Sequence, residues 1–387
     1  MKASSTLFVY LIALCLPSCQ GSKTDDALET LRIAENERVD NIDASDYFHS
    51  VRVIPLETSD ETLIDDKSIA KIVHAGAHVY VADRYALYKF DEQGCIRGKI
   101  DRRGNGPDEY PGISDFEIAD ENSVWILSRD KRTLYLYTWD GEMRKSIPLD
   151  CWAAKARLLA PNRMCLYIGN EMDAENTHQL RVIDLDTGQT VSALLKIDPN
   201  KAKFLHVSAL NHFLKRTDNE CYYYNIFDDY IYLLTEKDIR PVYELNILNK
   251  NIPAALYQNE YENVAYFFQE VLAHDYAYGV NLFLDGPGNM AISYYHDGVC
   301  RIAMVSKESH RSVVDFHQIT VPLLENYVIG EFPENMFGSG DELILPLQPF
   351  DIMDAFQDDL DKQERIKRTI NYIGDEQNPL LLLMKVK

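Results

Sequence analysis

Arginine is the residue type in this chain with the clearest chemical promise. Arg84, Arg103, Arg129 and Arg132 fall in polar segments between β-patterned runs: Asp83-Arg-Tyr85, Arg103-Gly-Asn-Gly-Pro-Asp-Glu-Tyr110 and Arg129-Asp-Lys-Arg132. His296-Asp297 occupies a comparable segment further on. A guanidinium presents a planar fork of donors, so a group of them suits an anionic or polyhydroxylated ligand. The competing reading pairs each arginine with a nearby Asp or Glu on a solvated surface, where ion pairs contribute little. Glu109 and Tyr110 divide the same way. Glu109 is an acid or base, or a cap for backbone amides; Tyr110 is a stacking platform for a sugar ring, or a structural wedge.

Other chemistry is hard to find. No Gly-x-Ser-x-Gly elbow, Walker loop or dinucleotide fingerprint occurs. With 61 Asp and Glu, no motif selects two carboxylates for glycoside hydrolysis. His206, His212, His274, His296, His310 and His317 lie on separate segments, and no Cys/His pair has zinc spacing. Neither a cofactor nor a metal is expected. The formal net charge of -22 argues against nucleic acid, because phosphate binding needs a basic face. The 46% hydrophobic and 26% charged content is that of a globular protein.

The N-terminus reads as an export signal. Lys2 precedes the apolar run from Leu7 to Leu16, which is too short to span a bilayer. Leu16-Pro-Ser-Cys19 resembles a bacterial lipobox, with Cys19 as the lipidated residue and Pro17 as a departure from the usual pattern. The expected division is a signal peptide over 1–18, a lipid-anchored tether and lead-in over 19–47, and a single domain over 48–387. Gln20 after the cysteine is compatible with the outer membrane, on its periplasmic or its outer face. Ordinary signal cleavage near Ser18 is the alternative. The five cysteines beyond Cys19 are an odd, widely spaced set, better suited to buried hydrophobes than to a disulfide framework.

The elements that must position these residues are strands. Four short β-rich runs recur, first from Ile69 to Ile100, then from Phe116 to Leu149, then from Ala156 to Leu195. Gly94, Gly141 and Gly188 mark the last hairpin of each copy at a constant spacing of 47 residues. Short strands repeating in fours at that period are the signature of propeller blades. The segment 27–47 reads as a polar lead-in with a short helix around 27–34. Helical periodicity is expected within 252–274, through Tyr257, Tyr261, Val264, Phe268, Val271 and Leu272, and again over 352–370. A ring must leave no open edge. The simplest closure pairs Asn378–Lys387 with Val51–Leu56. The expectation is an all-β, six-bladed β-propeller closed by its N- and C-terminal strands, with helical insertions.

A resemblance supports this. Arg103-Gly-Asn-Gly-Pro-Asp-Glu-Tyr110 is similar to the Gly-x-Gly-Pro-x-Glu-Tyr signature of six-bladed β-propeller lipoproteins of Bacteroidetes-type bacteria, relatives in shape of NHL-repeat propellers. Val53-Ile-Pro-Leu-Glu-Thr58, Phe90-Asp-Glu-Gln-Gly94 and Asn378-Pro-Leu-Leu-Leu also fit, while Asp108 stands where glycine is commoner. The resemblance implies a fold and a location more than an activity. The expectation is therefore a monomeric, non-catalytic envelope lipoprotein binding a small molecule, a glycan or a protein. Its candidate residues are Arg84, Arg103, Glu109, Tyr110, Arg129, Arg132, His296 and Asp297. A lyase or glycan hydrolase with its site at the axial mouth is one alternative. A structural scaffold, with every rim arginine paired locally, is the other.

Overall fold

The computed structural model describes residues 28–172, 176–204, 211–332, 335–374 and 376–387. The leader, Cys19 and the tether up to residue 27 lie outside them, as does His206.

Strands dominate, and the chain is an all-β propeller with few helices. Sheet one holds Lys71–Ala75, His78–Ala82, Ala86–Asp91 and Ile96–Asp101. Sheet two holds Asp115–Ile118, Ser123–Ser128, Thr133–Thr138 and Met143–Pro148. Sheet three holds Lys155–Ala160, Arg163–Tyr167, His178–Asp184 and Thr190–Lys196. Sheet four runs from Phe213–Lys215 to Ile239–Ile247, and sheet five from Tyr278–Asp285 to Ser312–Phe316. Sheet six joins both ends of the chain: Phe337–Ser339, Glu342–Leu347, Leu380–Val386 and Phe48–Pro55.

Burial explains the order of strands within a sheet. Second strands are covered on both faces, and Ser123–Ser128 and Glu342–Leu347 are buried along their whole length. Fourth strands alternate or lie open, as in Met143–Pro148 and Thr190–Lys196. A strand packed between neighbouring sheets must be apolar on both faces, whereas an outer strand need bury only one. The core is accordingly divided among the sheet interfaces. Ile72, Val79 and Val81 of sheet one pack with Ile344, Leu381 and Leu383 of sheet six. Trp125 and Leu127 of sheet two pack with Met164 and Leu166 of sheet three.

The expected closure forms. Leu380–Val386 pairs antiparallel with Phe48–Pro55 on one side and Glu342–Leu347 on the other. Asn378, 1% exposed, pins the junction: its amide donates to Glu57 O at 2.8 Å and Thr62 O at 2.9 Å, and accepts from Ile64 N at 2.8 Å. The turn glycines behave as expected too, with φ of 81° at Gly94, 80° at Gly141 and 74° at Gly188.

Two expectations need correction. Seven sheets form rather than six, the additional one a three-stranded sheet of Asn41–Asp43, Gln318–Val321 and Tyr327–Ile329. Each of its strands is three or four residues long, too short to show a period in sequence. The short helix expected around 27–34 is a strand instead, and the helical turns of the lead-in come later, at Glu35–Glu37 and Ala44–Tyr47. Glu29–Ile33 is a strand lying parallel on Ile239–Ile247 of sheet four, with Leu31 and Ile33 buried. The N-terminal segment is thus a strap. It leaves sheet four, inserts Arg38 beside Asp315 of sheet five, adds Asn41–Asp43 to the three-stranded sheet, and then enters sheet six.

The helices are shorter than their sequence periods suggest. The insertion holds Val264–Ala273, whose buried stripe is Phe267 and Val271, while Val264 and Leu272 stay exposed. The last stretch divides into Pro349–Ala355 and Leu360–Thr369, with Leu360 exposed. No helix among the described residues is long and apolar enough to cross a membrane.

Candidate functional site

The turns that join second to third strands, and the crossovers between sheets, share one rim. The turn at Asp83–Tyr85 is rigid. The buried Asp83 carboxylate accepts from the amides of Tyr85 and Ala86, each at 2.7 Å, and of Asp65 at 3.1 Å. Tyr85 then carries two arginines, its ring centre lying 5.5 Å from the Arg84 guanidinium carbon and 3.9 Å from that of Arg103.

A second platform stands in the following turn. Arg132, in left-handed backbone at φ 48°, closes back on Arg129 through an amide-to-carbonyl bond of 2.9 Å. Arg129 and Arg132 lie 5.9 and 5.1 Å from the ring centre of Trp152, which is 39% exposed. Lys131 locks this turn to the preceding crossover, donating to Gly106 O at 2.6 Å and Glu109 O at 2.9 Å. Guanidinium–aromatic stacking at exposed sites contributes about 0.5–1 kcal/mol, which biases the fork towards the ring.

Among the described residues, these arginines have few acidic partners. Arg129 lies 3.5 Å from Glu171. Among the described residues, the side chains of Arg84, Arg103 and Arg132 make no ion pair or hydrogen bond; the rings are their partners. The scaffold reading required every rim arginine to be paired; among the described residues Arg129 has an acidic partner and Arg84, Arg103 and Arg132 have none.

The other candidates sit elsewhere. Glu109 is a cap: its carboxylate accepts from Gly106 N at 2.8 Å, and a Cβ on Gly104 would collide with it. Tyr110 is fully buried, its hydroxyl donating to Ile100 O at 3.2 Å and its ring edge-on to Tyr137. A ligand cannot stack on it. His296 is 3% exposed, enclosed by Arg38 at 2.9 Å, Asp275 at 2.8 Å and Asp297 at 3.3 Å. These groups could meet a metal ion in principle, but Lys250, 2.7 Å from Asp275, and Arg38 already supply positive charge there. No hydrogen bond or ion pair among the described residues joins His296 or Asp297 to the four arginines.

A charged cluster on the axis was missed from sequence. First strands line a cavity of about 70 Å³ through Lys71, Asp115, Glu117, Lys155, Arg157, Asn211, His212 and Ser339. Lys71 reaches Asp115 at 3.0 Å and Glu117 at 2.7 Å, and Arg157 reaches Glu117 at 3.3 Å. The same carboxylates stitch sheet two to sheet three: Asp115 accepts from Ala156 N at 2.7 Å and Glu117 from Leu158 N at 3.2 Å. Burial would raise the Glu117 carboxyl, but Arg157 and Lys71 outweigh it and hold the group below its ordinary range. A paired carboxylate held below its ordinary range is a poor proton shuttle, so Glu117 does not support acid–base catalysis. The signal available in sequence was charge at i and i+2, in Asp115-Phe-Glu117 and Lys155-Ala-Arg157, which share a face on a strand.

A second concavity, about 620 Å³, is an open groove on the insertion lined by Asn259, Tyr261, Tyr266 and Glu270. It includes none of the rim candidates. Among the described residues no disulfide forms; Cys151, Cys165 and Cys221 are buried, and burial pushes the Cys151 thiol up to about 11.

Comparison with known proteins agrees on the fold. A Bacteroides fragilis protein that its name assigns provisionally to the exported class superposes with a TM-score of 0.72 at 15% identity, covering 93% of this chain and 99% of its own. A member of the duf4221 family from Bacteroides vulgatus superposes with a TM-score of 0.51 at 11% identity, covering 88% and 97%. At those identities the likeness concerns fold alone. No curated protein matches the sequence. The profile of the domain of unknown function DUF4934 matches residues 28–385, nearly all of the chain, which therefore belongs to that family.

Proposed function

We propose that this chain is a non-catalytic binding propeller of the bacterial envelope, exported and held to the outer membrane by a lipid on Cys19. Its ligand-bearing surface is the rim around Tyr85 and Trp152. The ligand is acidic, a glycan or a protein segment carrying carboxylate or sulfate groups. The observation that carries this reading is the set of three arginines, Arg84, Arg103 and Arg132, stacked on aromatic rings with no acidic partner among the described residues. Stacking biases each guanidinium towards one orientation before a ligand arrives, so less side-chain entropy is lost on binding. In a chain of net charge -22, a rim of arginines gives one face the positive field that an acidic ligand needs to approach.

Both halves of the reading can be tested. Replacing Cys19 with Ala should release the protein from the membrane fraction, and persistent membrane association would refute the anchor. For the rim, an array of acidic and neutral glycans should retain the wild-type protein only on acidic members. Arg129→Ala/Arg132→Ala should abolish that retention.

A further inference from the structure

Beyond the rim, the axial cavity shows an imbalance of charge. Of the four cations that line it, Lys215 is exposed and turns to Asp218 at 2.8 Å, which leaves Lys71, Lys155 and Arg157 facing two carboxylates, Asp115 and Glu117. The carboxylates are fully engaged. Asp115 takes Lys71 and the amides of Phe116 and Ala156, while Glu117 takes Lys71, Arg157 and the amide of Leu158. Lys155 is left over. Its ammonium donates to Ala70 O at 3.2 Å, and among the described residues no carboxylate lies within ion-pair distance. Arg157 Nε is likewise buried with no hydrogen-bond partner among them.

Lys155 is half-buried, and a partly desolvated ammonium without a counter-ion is unfavourable; burial pulls it below its ordinary range despite the more distant attraction of Asp115. Lys155 and Arg157 stand two residues apart on one strand, so both side chains leave the same face, roughly 6–7 Å apart at the backbone. The cavity between them, about 70 Å³, has room for a few atoms and none for a sugar ring.

We infer that the axial cavity binds one small oxyanion, of carboxylate or phosphate size, between the Lys155 ammonium and the free edge of the Arg157 guanidinium. The anion neutralises the third cation and completes the ring of ion pairs that ties sheets one, two and three together at their inner strands. This site is separate from the rim.

The test is a set of thermal melts at constant ionic strength in sodium gluconate, acetate and phosphate, gluconate being too bulky to enter. Acetate or phosphate should raise the melting temperature of the wild-type protein saturably, by about 2 °C or more at saturation. Lys155→Met should melt at a temperature independent of the anion, while Arg129→Ala/Arg132→Ala should keep the wild-type dependence. Should Lys155→Met fail to fold, Arg157→Lys, which keeps the charge and removes the Nε donor, should show a weakened response to phosphate. An equal rise in wild type and variant would mark a general salt effect and overturn the inference. Absence of any rise in the wild-type protein would overturn it as well.

Discussion

Arg103 holds its guanidinium carbon 3.9 Å from the ring centre of Tyr85, the closest approach of any cation to an aromatic ring among the described residues. The two come from different elements, Arg103 from the crossover between sheets one and two and Tyr85 from a turn within sheet one. Tyr85→Leu removes the stacking face while the Asp83 bonds keep the turn. It should cost about 0.5–1 kcal/mol in urea unfolding and weaken capture of acidic ligands. A loss above about 3 kcal/mol would mean that Tyr85 is a core residue rather than a platform.

Tyr110 works in the opposite sense. It is fully buried between sheets one and two, against Tyr135 and Tyr137, at the end of the glycine-rich crossover. Tyr110→Ala should destabilise by about 3–5 kcal/mol through the cavity it leaves. Tyr110→Phe should cost about 1 kcal/mol for the hydrogen bond to Ile100 O. Chemical denaturation of both variants separates packing from hydrogen bonding.

The strap depends on Arg38. Its Nε donates to Asp315 at 3.1 Å, where Arg301 Nε at 2.9 Å and the Tyr294 hydroxyl at 2.6 Å also converge on a carboxylate with no exposure. Arg38→Ala leaves Asp315 with two of its three partners, so the expected loss is about 2–3 kcal/mol. Proteolysis near residues 34–40 should accelerate in step.

Asp228 gives a pH-dependent outcome. Burial raises its carboxyl above the ordinary value of 3.8, against the pull of Lys201 and the Tyr232 hydroxyl that donates to it at 2.8 Å. As pH rises from 3.8, the unfolded chain releases this proton first, so stability falls until the folded carboxyl has also ionised. Asp228→Asn keeps an acceptor for Tyr232 and removes the buried charge. It should be more stable than wild type at pH 7, and the advantage should vanish below the ordinary carboxyl range. A constant advantage across pH would refute the assignment.

Much of this architecture was legible in the residues themselves. Gly94, Gly141 and Gly188 set the repeat, and the apolar run from Leu380 to Met384 demanded partners on both sides, which Phe48–Pro55 and Glu342–Leu347 supply. Strand Glu29–Ile33 was missed although Leu31 and Ile33 alternate, because five residues are too few to separate a strand from a helix turn. The three-stranded sheet was missed because its parallel pair joins Asn41–Asp43 to residues 277 positions away, a pairing no local pattern encodes. At the rim, sequence separated the structural Glu109 and Tyr110 from the arginines only as competing readings. Burial decides between them. His296 looked open because its turn is polar, yet Arg38 and Asp275, distant in sequence, enclose it.

The most direct test of the rim as a binding surface is a thermal-shift titration of the soluble chain with acidic oligosaccharides, wild type beside Arg129→Ala/Arg132→Ala. A ligand that binds only the folded state raises the melting temperature with concentration. The account predicts a saturable rise for the wild-type protein, with the double variant melting within about 1 °C of wild type when free and showing no rise with ligand. An equal rise in the double variant, or no rise with any acidic oligosaccharide, would contradict it.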